Sequence, residues 1–341
     1  MKVFKLLSIL SIGLLAISCE NQKNDFPDYQ GGTTVYFAYQ DPVRTIVLGE
    51  DTYDTTLDNQ HKCMIYGTMG GAYKGKDITV DFSVDNTLTD HLYFPNGSPV
   101  KPMPSNYYTL AGNKLAYGGD FRGGVEVQLT DAFFEDPKSL ENTYVIPLLM
   151  TKVTGADSIL VGTPSVAGDI PSRTNSLYWR ILPKDYVLYC VKYINKYHAY
   201  YLRRGVDLIT ENGVTSTNIR HKESVEKDEV CATKTRSLNS VIFPVSTNLS
   251  NGSRITCDLV LTFNDKGECT ISSGTAGYQA SGTGKYLEKS EKKAWENKDR
   301  DGLYLDYQID FGAKKYATKD TLVWQTRGIK KEYSSPKYKE D

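Results

Sequence analysis

The 341-residue chain predicts an all-β fold, and three observations carry that prediction. Apolar residues recur at every second position: "ITVDFSV" sets Ile78, Val80, Phe82 and Val84 on one face and Thr79, Asp81 and Ser83 on the other. Only an extended strand turns a period of two into one dry face. Turn-forming clusters such as "PNGSP", "YGGDFRGG", "FNDKGE" and "NKDRDG" separate these runs. No long segment keeps a convincing helical period, Lys285–Trp295 and the tyrosine-rich run from Tyr189 being the two stretches that come nearest.

The elements follow in order. "MKVFKLLSILSIGLLAISCE" has Lys2 and Lys5, an apolar run from Leu6 to Ile17, and small Ser18 before Cys19. That is the layout of a secretory signal peptide, residues 1–18, and its apolar run is too short for a comfortable membrane span. Residues 19–33 read as a polar tether without apolar periodicity. The first folded unit, 34–182, holds short strands such as "GVEVQLTD", with Val125, Val127 and Leu129 on one face, and its frequent turns predict a β-sandwich. A break at Leu182–Asp185 leads into a second unit, 184–330. Its runs "ITCDLVLTF" (Ile255, Cys257, Leu259, Leu261, Phe263) and "LYLDYQIDF" (Leu303 to Phe311) must cover one another's edges, as an antiparallel β-barrel (lipocalin-like) or a second sandwich. Residues 331–341 read as a flexible tail.

Composition excludes several classes. With 24% charged residues and a net charge of −1, the chain has no global field to draw nucleic acid. Beyond Cys19 there are five cysteines, an odd number without CxxC spacing and without clustering with His61, His91, His198 and His221, so no structural metal site is expected. HExxH and GxSxG are absent. "SGTGKY" fails as a phosphate loop, because Gln279 stands at the first glycine position and Tyr286 replaces the Mg²⁺-binding hydroxyl residue. The expectation is a protein that is not an enzyme and takes no cofactor. Asn297, Asp299, Asp301 and Gly302 imitate half of a calcium loop, but Gln308 stands where the bidentate acid belongs, and a β-turn is the better reading.

Tyrosine is the compositional anomaly, at 25 residues. In "YCVKYINKYHAYYLRRG", Val187, Tyr189, Val191 and Tyr193 alternate as a strand that ends at Asn195, leaving Lys196–Tyr200 as a turn. Tyr197, His198, Tyr200 and Arg203 or Arg204 would then lie near a barrel mouth. Sugars offer C–H faces and hydroxyls, so an aromatic platform beside fork-shaped donors suits them. In the competing reading the tyrosines close the barrel end and the arginines stay solvated. Trp295 follows the charged run "EKSEKKA" and is expected at the surface; Trp324, in "TLVWQTR", is expected in the core. The candidate ligand-binding residues are Tyr197, His198, Tyr200, Arg203, Arg204 and Trp295.

Two resemblances add to this. Cysteine directly after a small residue resembles the lipobox of bacterial lipoproteins, with Ala16 where Leu is commoner, which implies lipidation at Cys19 and membrane attachment by several acyl chains. "TTVYFAYQ", "VDFSVDNTL", "NYYTL", "GGVEVQLTD" and "YVIPLLMTKV" resemble the immunoglobulin-like domain at the front of many Bacteroidetes surface lipoproteins, some of which carry family-18 glycoside hydrolase domains. "VKYINKYHAYYLRRG", "DGLYLDYQIDF" and "DTLVWQTR" resemble the barrel domain of unassigned function that often follows it. The resemblance implies an outer-membrane lipoprotein facing the cell exterior. It would bind a glycan without catalysis, beside outer-membrane transporter proteins of a polysaccharide-utilisation system. The alternative is a structural or adhesive lipoprotein with a protein partner.

Overall fold

The computed structural model describes residues 27–169 and 171–340. The signal peptide, Cys19 and most of the tether lie outside the described residues. The alternating runs become strands, as expected, and they form two large sheets.

The first sheet has twelve strands, ten of them in one unbroken ladder that starts at Ser158–Ile159 and ends at Glu332–Tyr333, with Lys101–Pro102 and Tyr108–Leu110 pairing beside it. A single core receives Val35, Ile65, Val80, Leu115, Val127, Ile146 and Val191, side chains from strands spread along the whole ladder. Flat sheets cannot do this, so the ladder curls around its own apolar face. On the outer face, Leu88, Leu92, Phe94 and Val100 cover Val145, Leu188 and Cys190.

The second sheet closes into a barrel. Strands 240–248, 254–263, 268–273, 279–295, 298–310 and 314–326 pair antiparallel in chain order. The last of them pairs with Tyr200–Glu211. The segment 229–237 completes the circuit: Glu229–Ala232 pairs with 200–203 and Lys234–Ser237 with 240–242. At the break between them, the Thr233 amide donates to the Ala199 carbonyl at 3.0 Å. The interior is filled by side chains, including Tyr201, Phe243, Leu259, Leu261, Leu303, Leu305 and Leu322, as a small barrel requires. Each large apolar side chain so buried is worth about 1.5–3 kcal/mol. Cys63, Cys190, Cys231, Cys257 and Cys269 are free thiols, and Cys257 packs in this interior as a small hydrophobe.

Three expectations are corrected. Tyr186–Ile194 belongs to the first sheet, antiparallel to 144–154 and parallel to 42–47, so that sheet runs past the expected break at 182–185. Its alternation was legible, but the partner of a strand is not written in its own pattern. The segment 331–341 straps back onto the first unit: Glu332–Tyr333 pairs with Pro42–Val43, and Lys337–Tyr338 with Leu92–Tyr93. Backbone hydrogen bonds need no apolar side chains, so its polar composition hid them. The end of the tether is likewise held, the Tyr29 amide donating to the Gly71 carbonyl at 2.9 Å. Lys285–Trp295, one of the two stretches nearest to a helical period, is strand like the rest. It carries two bulges, at Lys289 and Lys293, both with φ near +50°. Residues 287, 291 and 295 therefore face 302, 300 and 298. Two extra residues per step give a strand a helix-like spacing of four.

The barrel also encloses charge. Asp320 accepts from Arg203 Nε at 3.0 Å, Tyr307 Oη at 2.8 Å and Arg220 Nη2 at 2.6 Å. Arg220 also forks onto Asp207, which accepts from Thr318 as well. Burial alone would raise the Asp207 carboxyl, but the Arg220 hydrogen bonds and charge outweigh it and hold it below its ordinary range. Asp320→Ala would leave two arginines without their shared anion. We expect a loss of about 3–5 kcal/mol, read as a shifted denaturation midpoint; a loss under about 1 kcal/mol would contradict this account of the network.

Candidate ligand-binding seam

The two units meet where the first sheet's strand ends at Ile194 and the barrel begins at Tyr200. Asn195, fully buried, organises the turn between them. Its Nδ2 donates to the Ser237 and Ser240 carbonyls at 2.7 and 2.9 Å, while its Oδ1 accepts from the Tyr197 and His198 amides at 3.0 and 3.1 Å. Arg327, only 2% exposed, reaches in from the last barrel strand. Its guanidinium donates to the carbonyls of Asn195, Lys196 and His198 on the turn and of Glu50 on a loop of the first unit. One planar cation thus joins three segments from both units. Loss of Arg327 would remove the donor from the Glu50, Lys196 and His198 carbonyls, while that of Asn195 keeps the His198 amide. Arg327→Ala is expected to cost on the order of 3 kcal/mol and to split calorimetric unfolding into two transitions; a single unshifted transition would refute the clamp.

Concave surfaces gather along this seam. A groove of about 320 Å³ is walled by Pro137 and Leu140 from the first unit and by His198, Tyr200 and Lys234 from the second, with Glu141 beside them. A wider groove of about 700 Å³ borders Gly49, His61, Lys196, Asn239 and Asp265. A third cleft, of about 230 Å³, lies where Glu50–Thr52 approaches the long hairpin near Trp324.

The predicted residues separate. Tyr200 is 45% exposed and stands in the first groove, its ring packed so closely on Gly328 that a Cβ there would lie 2.5 Å from Cε2. Gly328 has φ +69°, so glycine serves both the turn and the ring. His198 lines the same groove. Tyr197 borders the wider groove but is only 3% exposed, stacked on Phe263 with ring centroids 3.6 Å apart at the barrel end. Tyr189, Tyr193 and Tyr201 are also core, each hydroxyl donating to a backbone carbonyl. Arg203 points into the barrel, beneath its wall and onto Asp320, because residues 201, 203 and 207 share the inward face. Arg204, on the opposite face, pairs with buried Asp228 at 2.6 Å, so neither arginine is a free fork for a ligand. Trp295, half-buried, sits at the hairpin tip, where Glu296 and Asn297 make the turn with φ near +50°. The sequence reading missed Glu141, Lys234 and the whole contribution of the first unit to the seam, for which no local signal existed.

Asp299 and Asp301 do not form a calcium loop. Asp301 accepts from Tyr286 Oη and the Lys289 amide, and Asp299 from Lys292 and the Lys293 amide, so each holds one hairpin bulge. Among the described residues no group of His, Cys, Asp and Glu is placed to hold a metal ion.

His198 is tuned by its place. Burial, then the charges of Arg327 and Lys234, lower its pKa to about 4. Its Nδ1 accepts from the Thr235 amide at 3.1 Å, so in the neutral ring Nε2 carries the proton and is a donor. An unfolded histidine takes up its proton near pH 6.5, whereas the folded one refuses until about pH 4. Stability contributed by His198 is therefore lost as pH falls from about 6.5 to about 4. We expect the melting temperature to drop across that window and His198→Gln to flatten the drop; an equal slope in the variant would contradict it.

Fold and seam together define a two-unit all-β protein with concave surfaces at the junction of its units. Residues 196–328 match the family model for the domain of unknown function DUF5627, and residues 28–157 match an N-terminal domain family model. A crystal structure of a Bacteroides ovatus protein of unknown function is 45% identical, with 92% of this chain and 100% of that one covered and a TM-score of 0.86. The chain belongs to the same family as that protein. A second Bacteroides ovatus structure, described as a candidate carbohydrate-binding protein, covers 89% of this chain and 99% of its own at 12% identity; its TM-score of 0.27 is too low to bear on the fold. None of the curated proteins matches the chain.

Proposed function

We propose that the protein is a non-catalytic glycan-binding lipoprotein, anchored through Cys19 on the outer membrane and facing the cell exterior, where it captures polysaccharide for transporter proteins. The observation that carries the glycan reading is the groove at Tyr200. An aromatic ring packs against Gly328, and nearly half the surface of its residue, Tyr200, is open. Beside it stand a neutral imidazole that donates, a lysine, a carboxylate and the apolar wall of Pro137 and Leu140. Sugars need this mixture of one flat apolar face and several short-range polar groups, and the groove's size falls within the range of small-ligand sites. Lipid anchoring rests on the signal-like start of the sequence.

The adhesive reading has one supporting observation, the exposure of Val161, Leu177, Ile181 and Leu182 on one stretch of the first unit, Leu177 being 80% exposed. Affinity gels with embedded polysaccharides separate the two. Retardation by at least one glycan is expected, with Tyr200→Ala weakening it about tenfold and Tyr200→Phe retaining it. Wild-type migration unchanged across a broad panel of plant and host glycans would end the glycan reading in favour of adhesion.

A further inference from the structure

Strand edges carry unpaired N–H and C=O groups that can pair with another extended chain, and folded proteins blunt them with short strands, charge or proline. This protein does so at most of its edges. The first sheet ends in the two-residue strands Ser158–Ile159 and Glu332–Tyr333. In the second, the edge strand Lys234–Ser237 carries Lys234 and Arg236, and Pro244 stands just past residue 242, where the 240–248 strand loses that partner.

The exception is Val214–Arg220. It pairs with 205–211 along one side in unbroken register, and among the described residues no strand pairs with its other side. Its sequence, VTSTNIR, has no proline and no charge before Arg220, whose guanidinium is already held by Asp207 and Asp320. Residues 214–219 are all exposed, so this ribbon meets solvent on both faces.

The turn fixes which backbone groups point outward. Asn212 and Gly213, with φ of +52° and +77°, make a two-residue hairpin turn between Glu211 and Val214. Residues flanking such a turn exchange hydrogen bonds, and bonded positions then alternate along the strand. Val214, Ser216, Asn218 and Arg220 therefore bond to 205–211, while Thr215, Thr217 and Ile219 turn their N–H and C=O to the open side.

A second copy of this chain fits that edge. A two-fold axis at Thr217 sets Thr217 against itself and Thr215 against Ile219, so every outward donor meets an outward acceptor. Like charges do not meet: Lys315 and Lys319, on the strand beyond 205–211, are paired with Asp310 and Asp306. Val206, beside Ile219 and 39% exposed, adds an apolar flank. A foreign peptide gains specificity at a sheet edge from pockets that read its alternate side chains. This exposed ribbon offers none, whereas self-pairing takes its register from the symmetry itself.

We propose that Val214–Arg220 is a homodimerisation edge, pairing antiparallel with its copy about Thr217 so that two barrel sheets run into one. The inference is independent of the glycan-binding reading.

Sedimentation of the full folded protein over a range of concentrations tests it. A seven-residue edge is a small interface, so a dimer dissociation constant on the order of tens of micromolar is expected. Thr217→Pro removes the central donor of each copy without touching a bond inside the hairpin. It is expected to weaken the dimer at least about tenfold and to leave the melting temperature unchanged. Thr217→Lys and Thr217→Glu each place like charges across the axis, so either variant alone is expected to be monomeric and their equimolar mixture to dimerise. Facing Cα atoms in such a bonded pair lie about 5.5 Å apart, within disulfide reach, so Thr217→Cys is expected to crosslink on mild oxidation well beyond the wild type. Wild-type monomer up to about tenfold above that dissociation constant overturns the proposal. So does a dimer that survives both Thr217→Pro and Thr217→Lys, or a mixture of the two charged variants that stays monomeric.

Discussion

The architecture depends on a buried cation with no carboxylate partner among the described residues. Arg327 sits at the junction of two sheets and is neutralised by carbonyl dipoles, from Glu50 on one side and Asn195, Lys196 and His198 on the other. Guanidinium is suited to this because its planar fork spreads five donors in fixed directions and cannot shed its proton. Lysine would reach one or two of these carbonyls and leave the others unpaired. The positive field has a consequence at once, since it helps to keep His198 neutral. A structural clamp thereby adds to what burial already does to a group in the neighbouring groove.

The same clamp explains why the concave surfaces lie where they do. Both units are filled: the curled sheet around one apolar core, the barrel around another in which even the charged groups find each other. A barrel packed with Tyr201, Phe243 and Leu305, and sealed at its end by Tyr197 on Phe263, has no room for a ligand inside. The three clefts described lie between the units, around the place where Arg327 joins the Glu50 loop to the 195–198 turn. Residues from both units line each of the three clefts described, so each depends on the relative placement that Arg327 and Asn195 hold.

The long hairpin shows how local chemistry disguises a strand. Lys289 and Lys293 occupy left-handed backbone, unusual for a residue with a Cβ, and each amide there is met by a carboxylate two strand positions apart, Asp301 and Asp299. The four-residue spacing that imitates a helix and the acidic pair that imitates a calcium loop are two views of this one device. Either resemblance dissolves once the partner strand is in place.

Much was legible in the sequence. Period-two runs such as Ile255–Phe263 become strands because a dry face every second residue has one solution in backbone geometry, and the alternation at Tyr189–Tyr193 and the stop at Asn195 belong to the same logic. Which tyrosine faced outward was not legible: Tyr197 and Tyr200 stand three residues apart in one aromatic-rich run, and the stacking of one on Phe263 and the packing of the other on Gly328 separate them. Strand partners, the return of 332–338 to the first unit, and the capture of Arg203 by Asp320 are contacts between residues far apart in the chain. Local pattern determines which residues are extended and which face must be dry; the pairing of distant edges, whose backbone bonds are nearly the same for every residue type, was decided by the tertiary structure alone.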